Sequence, residues 1–149
     1  MKDYVVDDIK SIVRPQLGEE VPLLLFRILR IIGMRSILGE TSGATLYMMG
    51  KKVGNMLPVR TVEEFSETIR NLKIGIPEVA IVDEDHVTVK LFECITCAGF
   101  TYTGEMFCDM ESGIIAGLLE NVYGKKARST QTKSWSAGFN YCEFEVFFY

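Results

Sequence analysis

The chain has 149 residues, 16 Lys and Arg against 20 Asp and Glu, and a net charge of −4. That length predicts one domain, 1–149, able to bury about two-thirds of its unfolded surface without staples; the charge balance offers no basic stripe, which argues against a nucleic-acid partner. Hydrophobic residues make up 48% and the mean hydropathy is +0.16, so some apolar side chains are expected to be left over from the core to line a cavity or an oligomer interface.

The N-terminus, Met1-Lys2-Asp3-Tyr4, is acidic where a secretion signal would turn apolar. Val5, Val6, Ile9, Ile12 and Val13 recur at helical spacing and predict an amphipathic helix stopped near Pro15. A second helix, about Pro22 to Ile32, is apolar on most sides and is expected to be central. The greasiest run, Val21 to Leu38, is broken by Arg27, Arg30 and Arg35, too charged for a membrane span. The expected compartment is the cytoplasm, where thiols stay reduced and four cysteines do not imply two disulfides.

A third helix starts near Thr41 or Ser42, either a good N-cap, and carries Gly43, Gly50 and Gly54 near one face; close approach by another backbone would compensate for their low helix propensity. Thr61 with Glu64 forms a capping box for a fourth helix, whose buried stripe is Val62, Phe65, Ile69 and Leu72, ended by Gly75 and Pro77. The period then changes: Val79 to Val82 and Val87 to Glu93 read as strands around the turn 83–86, with Val87, Val89 and Leu91 on one face. Cys108 to Tyr123 is a fifth helix, and its Gly113 and Gly117 are expected to let it lie close on a sheet. Arg128 to Trp135 and Tyr141 to Phe148 form a hairpin, with Cys142, Phe144, Val146 and Phe148 on one face. Helices followed by hairpins argue α+β, an antiparallel sheet covered by helices.

From about residue 22 onward the chain resembles the 4-vinyl reductase domain family. The likeness rests on Leu46-Tyr47-Met48-Met49-Gly50 with Gly54, on Glu93-Cys94-x-x-Cys97-Ala98-Gly99, on Cys108 with Glu111, Gly113 and Gly117, and on Gly138 with Cys142, Phe144 and Val146. The resemblance implies the fold of the TRAPP subunits and of haem nitric-oxide-binding domains, with a small hydrophobic or acyl ligand between helices and sheet and frequent dimerisation. It also implies a zinc site in the related sensor domains, whose ligand positions fall on Cys108, Gln131, Ser134 and Cys142; Gln and Ser are poor neutral replacements there, so that site is expected to be absent.

The chemistry readings follow. Cys94-x-x-Cys97 is a zinc half-site, and a rearranged site with Cys108 or Cys142 is open, against the plainer reading that Cys108 and Cys142 pack together as small hydrophobes. The expectation is no metal ligand and no cofactor. Cys108, at a helix start, is the expected reactive thiol. The single histidine, His86, is expected to be solvated in a charged turn, which argues against haem and against a triad. Asp109 and Glu111 are candidates for acid–base work, or simply complements to a helix dipole. No phosphate cradle is seen, and no catalytic residue is assigned. Phe26, Tyr47, Phe100, Phe107, Trp135 and Phe144 are the predicted ligand-binding residues, with Leu29 and Tyr102 beside them; the same aromatics suit an ordinary core. The expected function is a stand-alone sensor or carrier for a small hydrophobic or aromatic molecule, a homodimer and more a binder than an enzyme. The alternatives are a zinc-stabilised assembly module and an accessory factor in tetrapyrrole reduction.

Overall fold

A computed structural model describes residues 1–149. Its elements run α1 (Val6–Ile9), α2 (Leu23–Arg27), a π-helical stretch (Ile28–Gly33), α3 (Met34–Leu38), α4 (Ser42–Met56), α5 (Val62–Asn71), β1 (Ile76–Asp83), β2 (His86–Phe92), α6 (Asp109–Tyr123), β3 (Ala127–Lys133) and β4 (Cys142–Phe148). The four strands make one antiparallel sheet in the order β1-β2-β4-β3, so the two hairpins meet through β2 and β4. Val87, Val89 and Leu91 of β2 and Cys142, Phe144 and Val146 of β4 alternate onto one face, and all six are fully buried.

That face is covered by α6, the central helix. Every residue from Glu111 to Glu120 is buried. Gly113 and Gly117 do not face the sheet, as the sequence suggests; they face α4. A Cβ on Gly113 would sit 2.1 Å from the Tyr47 carbonyl oxygen and one on Gly117 2.3 Å from that of Lys51. The complementary glycines of α4 do the same: a Cβ on Gly50 would meet the Met110 carbonyl at 2.1 Å and one on Gly54 that of Ile114 at 2.4 Å. The two helices therefore touch backbone to backbone. Asn121 donates to the carbonyls of Gly54, Asn55 and Leu57 and satisfies the C-terminal end of α4.

The capping box at α5 is formed with a shift. Thr61 Oγ1 accepts from the Glu64 amide at 3.1 Å, while Glu64 reaches back to the amide of Arg60 instead of Thr61. Phe65 and Ile69 are fully buried, but Leu72 is exposed, because the helix ends at Asn71 and Lys73 turns with φ 56°.

The N-terminal expectations need correction. The predicted helix of Val5 to Val13 is a single turn with no buried residue, because nothing faces its apolar side. The predicted central helix runs on through Gly33 to Leu38, with the π-helical stretch inside it, and it lies at the periphery. Leu24 is 67% exposed and Ile32 66%; only Arg30 is buried. Its apolar character therefore reflects a surface this chain alone does not cover.

The glycine contacts give a direct test. Gly113→Ala should destabilise the fold by about 1–3 kcal/mol through overpacking. At Gly43 a Cβ would meet only the Asp109 carboxylate at 3.3 Å, so Gly43→Ala should lie within about 1 kcal/mol of the parent. Urea unfolding of the two variants measures both.

Candidate functional site

Three chain segments bring the cysteines together. After β2, Glu93 adopts φ 51°, and the Cys94–Cys97 turn closes with the Ala98 amide on the Cys94 carbonyl at 3.0 Å. Cys108 is the N-cap of α6. Cys142 opens β4 opposite Leu91. All four thiols are fully buried and none is in a disulfide. Their sulfur atoms lie within 4.8 Å of one another, with Cys97–Cys142 at 3.1 Å, Cys94–Cys108 at 3.8 Å and Cys108–Cys142 at 3.9 Å. A tetrahedral metal–thiolate centre with metal–sulfur bonds of about 2.3 Å has sulfur–sulfur edges of about 3.8 Å, so the cluster has the dimensions to hold one ion. Cys108 and Cys142 do lie against each other, as the plainer reading expects, but not as an isolated pair: the β2–β4 pairing brings the Cys94–Cys97 half-site onto both. The geometry thereby corrects the expectation that the chain offers no set of metal ligands.

The surroundings favour negative charge on sulfur. The Cys97 thiol is pushed far down by S–H groups of Cys108, Cys142 and Cys94, with the Trp135 backbone amide also contributing. Cys108 is pushed well up, first by its bond to Cys142, and with its burial this makes it a poor free nucleophile, against expectation. Gln131 and Ser134 act as supports: Gln131 Oε1 accepts from the Cys108 amide at 3.1 Å, and the Ser134 hydroxyl lies 3.9 Å from Cys97 Sγ.

Two arginines from the N-terminal helix close the site. Arg27 Nε donates to the Ile95 carbonyl at 2.9 Å, and its Nη2 to Ala98 at 3.0 Å and Cys94 at 3.5 Å. Arg30 Nη2 donates to the carbonyl of Phe107, next to Cys108, at 2.6 Å. Glu111 is fully buried; burial pushes its carboxyl up against the pull of a hydrogen bond from Thr96 and of Arg30. It is thereby locked beside the Cys94–Cys97 turn, away from any exposed acid–base role. The sequence reading missed Arg27, Arg30 and Thr96; two arginines three residues apart in an otherwise apolar helix were the available signal.

The predicted ligand-binding aromatics do not surround one cavity. Phe144 is fully buried in the core, and Phe107 packs edge-on against Phe100 at 4.9 Å. Trp135 is half-buried with no partner for its indole N–H. Tyr47 lines an open cleft of about 500 Å³ between α4, the start of α6 and β3, its hydroxyl accepting from the Ser129 amide at 3.1 Å. Phe26 lies in another cleft, about 330 Å³, with Val21, Pro22, Leu23, Leu72 and Ile95. Tyr102 is exposed. His86 is not simply solvated: it is half-buried, stacked on Phe147 and bonded to Glu145. No helix is long and apolar enough to cross a membrane.

Comparison with known proteins follows this geometry. The profile of the vinyl-4-reductase domain matches residues 87–147, from β2 to the end of β4. An uncharacterised protein of Methanocaldococcus jannaschii is 32% identical over 131 residues, covering 88% of this chain and 80% of the relative. Three solved structures share the fold. A vinyl-4-reductase family protein of M. jannaschii matches with TM-score 0.72 and 23% identity over 90% of this chain and 85% of that one. The phenol-responsive sensory domain of the transcription activator PoxR, solved with phenol, matches with TM-score 0.68 and 14% identity over 85% and 74%. A trafficking protein particle complex subunit 3 of Naegleria fowleri, covalently bound to palmitic acid, matches with TM-score 0.64 and 16% identity over 85% and 95%.

The burial of the thiols predicts their reactivity. A thiol-specific chromogenic disulfide should label the native protein orders of magnitude more slowly than the unfolded chain, where all four cysteines react. Rapid labelling of Cys108 in the native state would contradict this geometry.

Proposed function

We infer the function from one premise: the chain belongs to the vinyl-4-reductase domain family. It binds a small hydrophobic molecule as a sensor or carrier, on a frame fixed by a zinc ion in the four-cysteine cluster. The observation that carries the ligand reading is the N-terminal helix, whose leucines and isoleucines stay exposed although its arginines hold it against the core. Monomeric soluble proteins rarely leave such a patch uncovered. The cleft beside Phe26 has a volume at the lower end for ligand pockets, and its lining is mostly apolar. Similar folds are described with phenol and with palmitic acid, both largely apolar molecules. A second copy of the chain covers the outer face carrying Leu24 and Ile32 and completes the site as a homodimer.

For the cluster, four soft thiolates in tetrahedral reach suit zinc, with iron the other ion that such a donor set takes. Such an ion is closed off by its ligands; its role is structural, joining β2, α6 and β4.

Native mass spectrometry and elemental assay of freshly purified protein test both halves. One zinc per chain, a dimer mass and a retained or added aromatic or acyl guest are the expected results. Phe26→Ala should weaken guest binding about tenfold or more, from ~1.5–3 kcal/mol of lost burial. Leu24→Asp should yield a monomer. Cys142→Ser should lose the metal and lower the unfolding temperature. A dimer that takes no apolar compound would instead favour an assembly module.

A further inference from the structure

Arg30 is 1% exposed, and its Nε has no hydrogen-bond partner. Neither Arg27 nor Arg30 forms an ion pair: the carboxylates within 4 Å of a cation all belong to other pairs. A buried guanidinium without a counter-charge is costly. Glu111 is the nearby acid, yet its carboxyl is engaged by the Thr96 hydroxyl through Oε1 and its Oε2 is unpartnered. What both arginines do touch is the backbone of the metal-binding turn: the carbonyls of Cys94, Ile95 and Ala98, and that of Phe107 beside Cys108. A zinc ion with four thiolates carries a net charge of roughly −2.

We propose that Arg27 and Arg30 are the charge-balancing positioning residues of the four-cysteine metal centre, and that through them metal occupancy holds the apolar N-terminal helix against the domain. The inference rests on the zinc reading above and adds a regulation to it. With zinc bound, two guanidinium charges answer a dianion and the helix stays docked. Without zinc, the arginines face only carbonyls, and the segment 23–38 is released. The apolar surface proposed for guest and second copy is then no longer presented in one orientation.

Two measurements test this. In hydrogen exchange on the full chain, removal of zinc by a chelator should raise exchange in residues 23–38 while α4, residues 42–56, stays protected by its backbone packing on α6. In competition with a chromophoric chelator, Arg27→Gln and Arg30→Met should lower zinc affinity about 10–100-fold, the range for groups that support metal ligands. Arg30→Lys, which keeps the charge, should retain most of it, and Glu111→Gln should not lower it. Should stripping unfold the chain altogether, exchange in the zinc-loaded arginine variants carries the same readout. Wild-type zinc affinity in both neutral variants would overturn the proposal while leaving the zinc site standing, as would unchanged exchange of 23–38 in stripped, folded protein. Absence of zinc from the wild-type chain on elemental assay removes the underlying site and the proposal with it.

Discussion

Four buried sulfur atoms, within 4.8 Å of one another, are the constraint on which the rest of this structure turns. They come from the turn after β2, the first residue before α6 and the first residue of β4. As neutral thiols they contribute little: a thiol is a weak donor and a small hydrophobe, and such contacts are worth a fraction of an ordinary hydrogen bond. As ligands of one ion they become a cross-link, because the binding free energy of the metal is also folding free energy. The same coordinates therefore describe two different degrees of restraint, depending on what occupies their centre.

The cluster forms only if α6 delivers Cys108 to the right place, and that delivery does not depend on the sulfurs. Gly50, Gly54, Gly113 and Gly117 let α4 and α6 approach until a Cβ on any of them would collide with the opposite backbone. At the far end, Lys51 meets both the Glu120 carboxylate and the Ala127 carbonyl, at 2.8 and 2.7 Å. The helix pair is thus fixed along its length by contacts remote from the cysteines. A domain framed in this way can lose a metal at one end without losing the packing at the other, and the N-terminal helix, held chiefly by two arginines, is the part with least of its own to keep it in place.

How much of this the amino-acid order disclosed depends on whether the deciding partner is local. The capped helix at Thr61, the period-two strand at Val87 and the left-handed stop at Gly124 are set by neighbours in the chain, and they were legible. The cysteine cluster was half legible: Cys94-x-x-Cys97 announces itself by spacing, whereas Cys108 and Cys142 join it only through the β2–β4 register. Aromatic type could not separate core from cleft, since Phe144 and Phe26 differ in neither chemistry nor local pattern but in what packs opposite. The helix at Pro22 misled for the same reason. Its apolar sides imply burial, and burial was assigned to the middle of this chain, where α6 already sits.

Gln131 and Ser134 connect the chemistry to the architecture. In the sensor domains this chain resembles, those two positions are expected to bind the metal from the β3 side. Here neither side chain is a ligand of the cluster; one accepts the Cys108 amide, and the other lies 3.9 Å from Cys97. The thiols that could replace them, Cys94 and Cys97, lie on the turn that Arg27 grips. Exchanging ligands in this way leaves the ion nearly in place but changes what its charge acts upon. A site anchored in β3 would be stabilised by the sheet and indifferent to the N-terminal helix. A site anchored in the turn places its negative charge against the only buried arginine of the chain and against the helix that carries the uncovered leucines. The shift of two ligands is thus enough to turn a frame-fixing metal into one that also governs the apolar face.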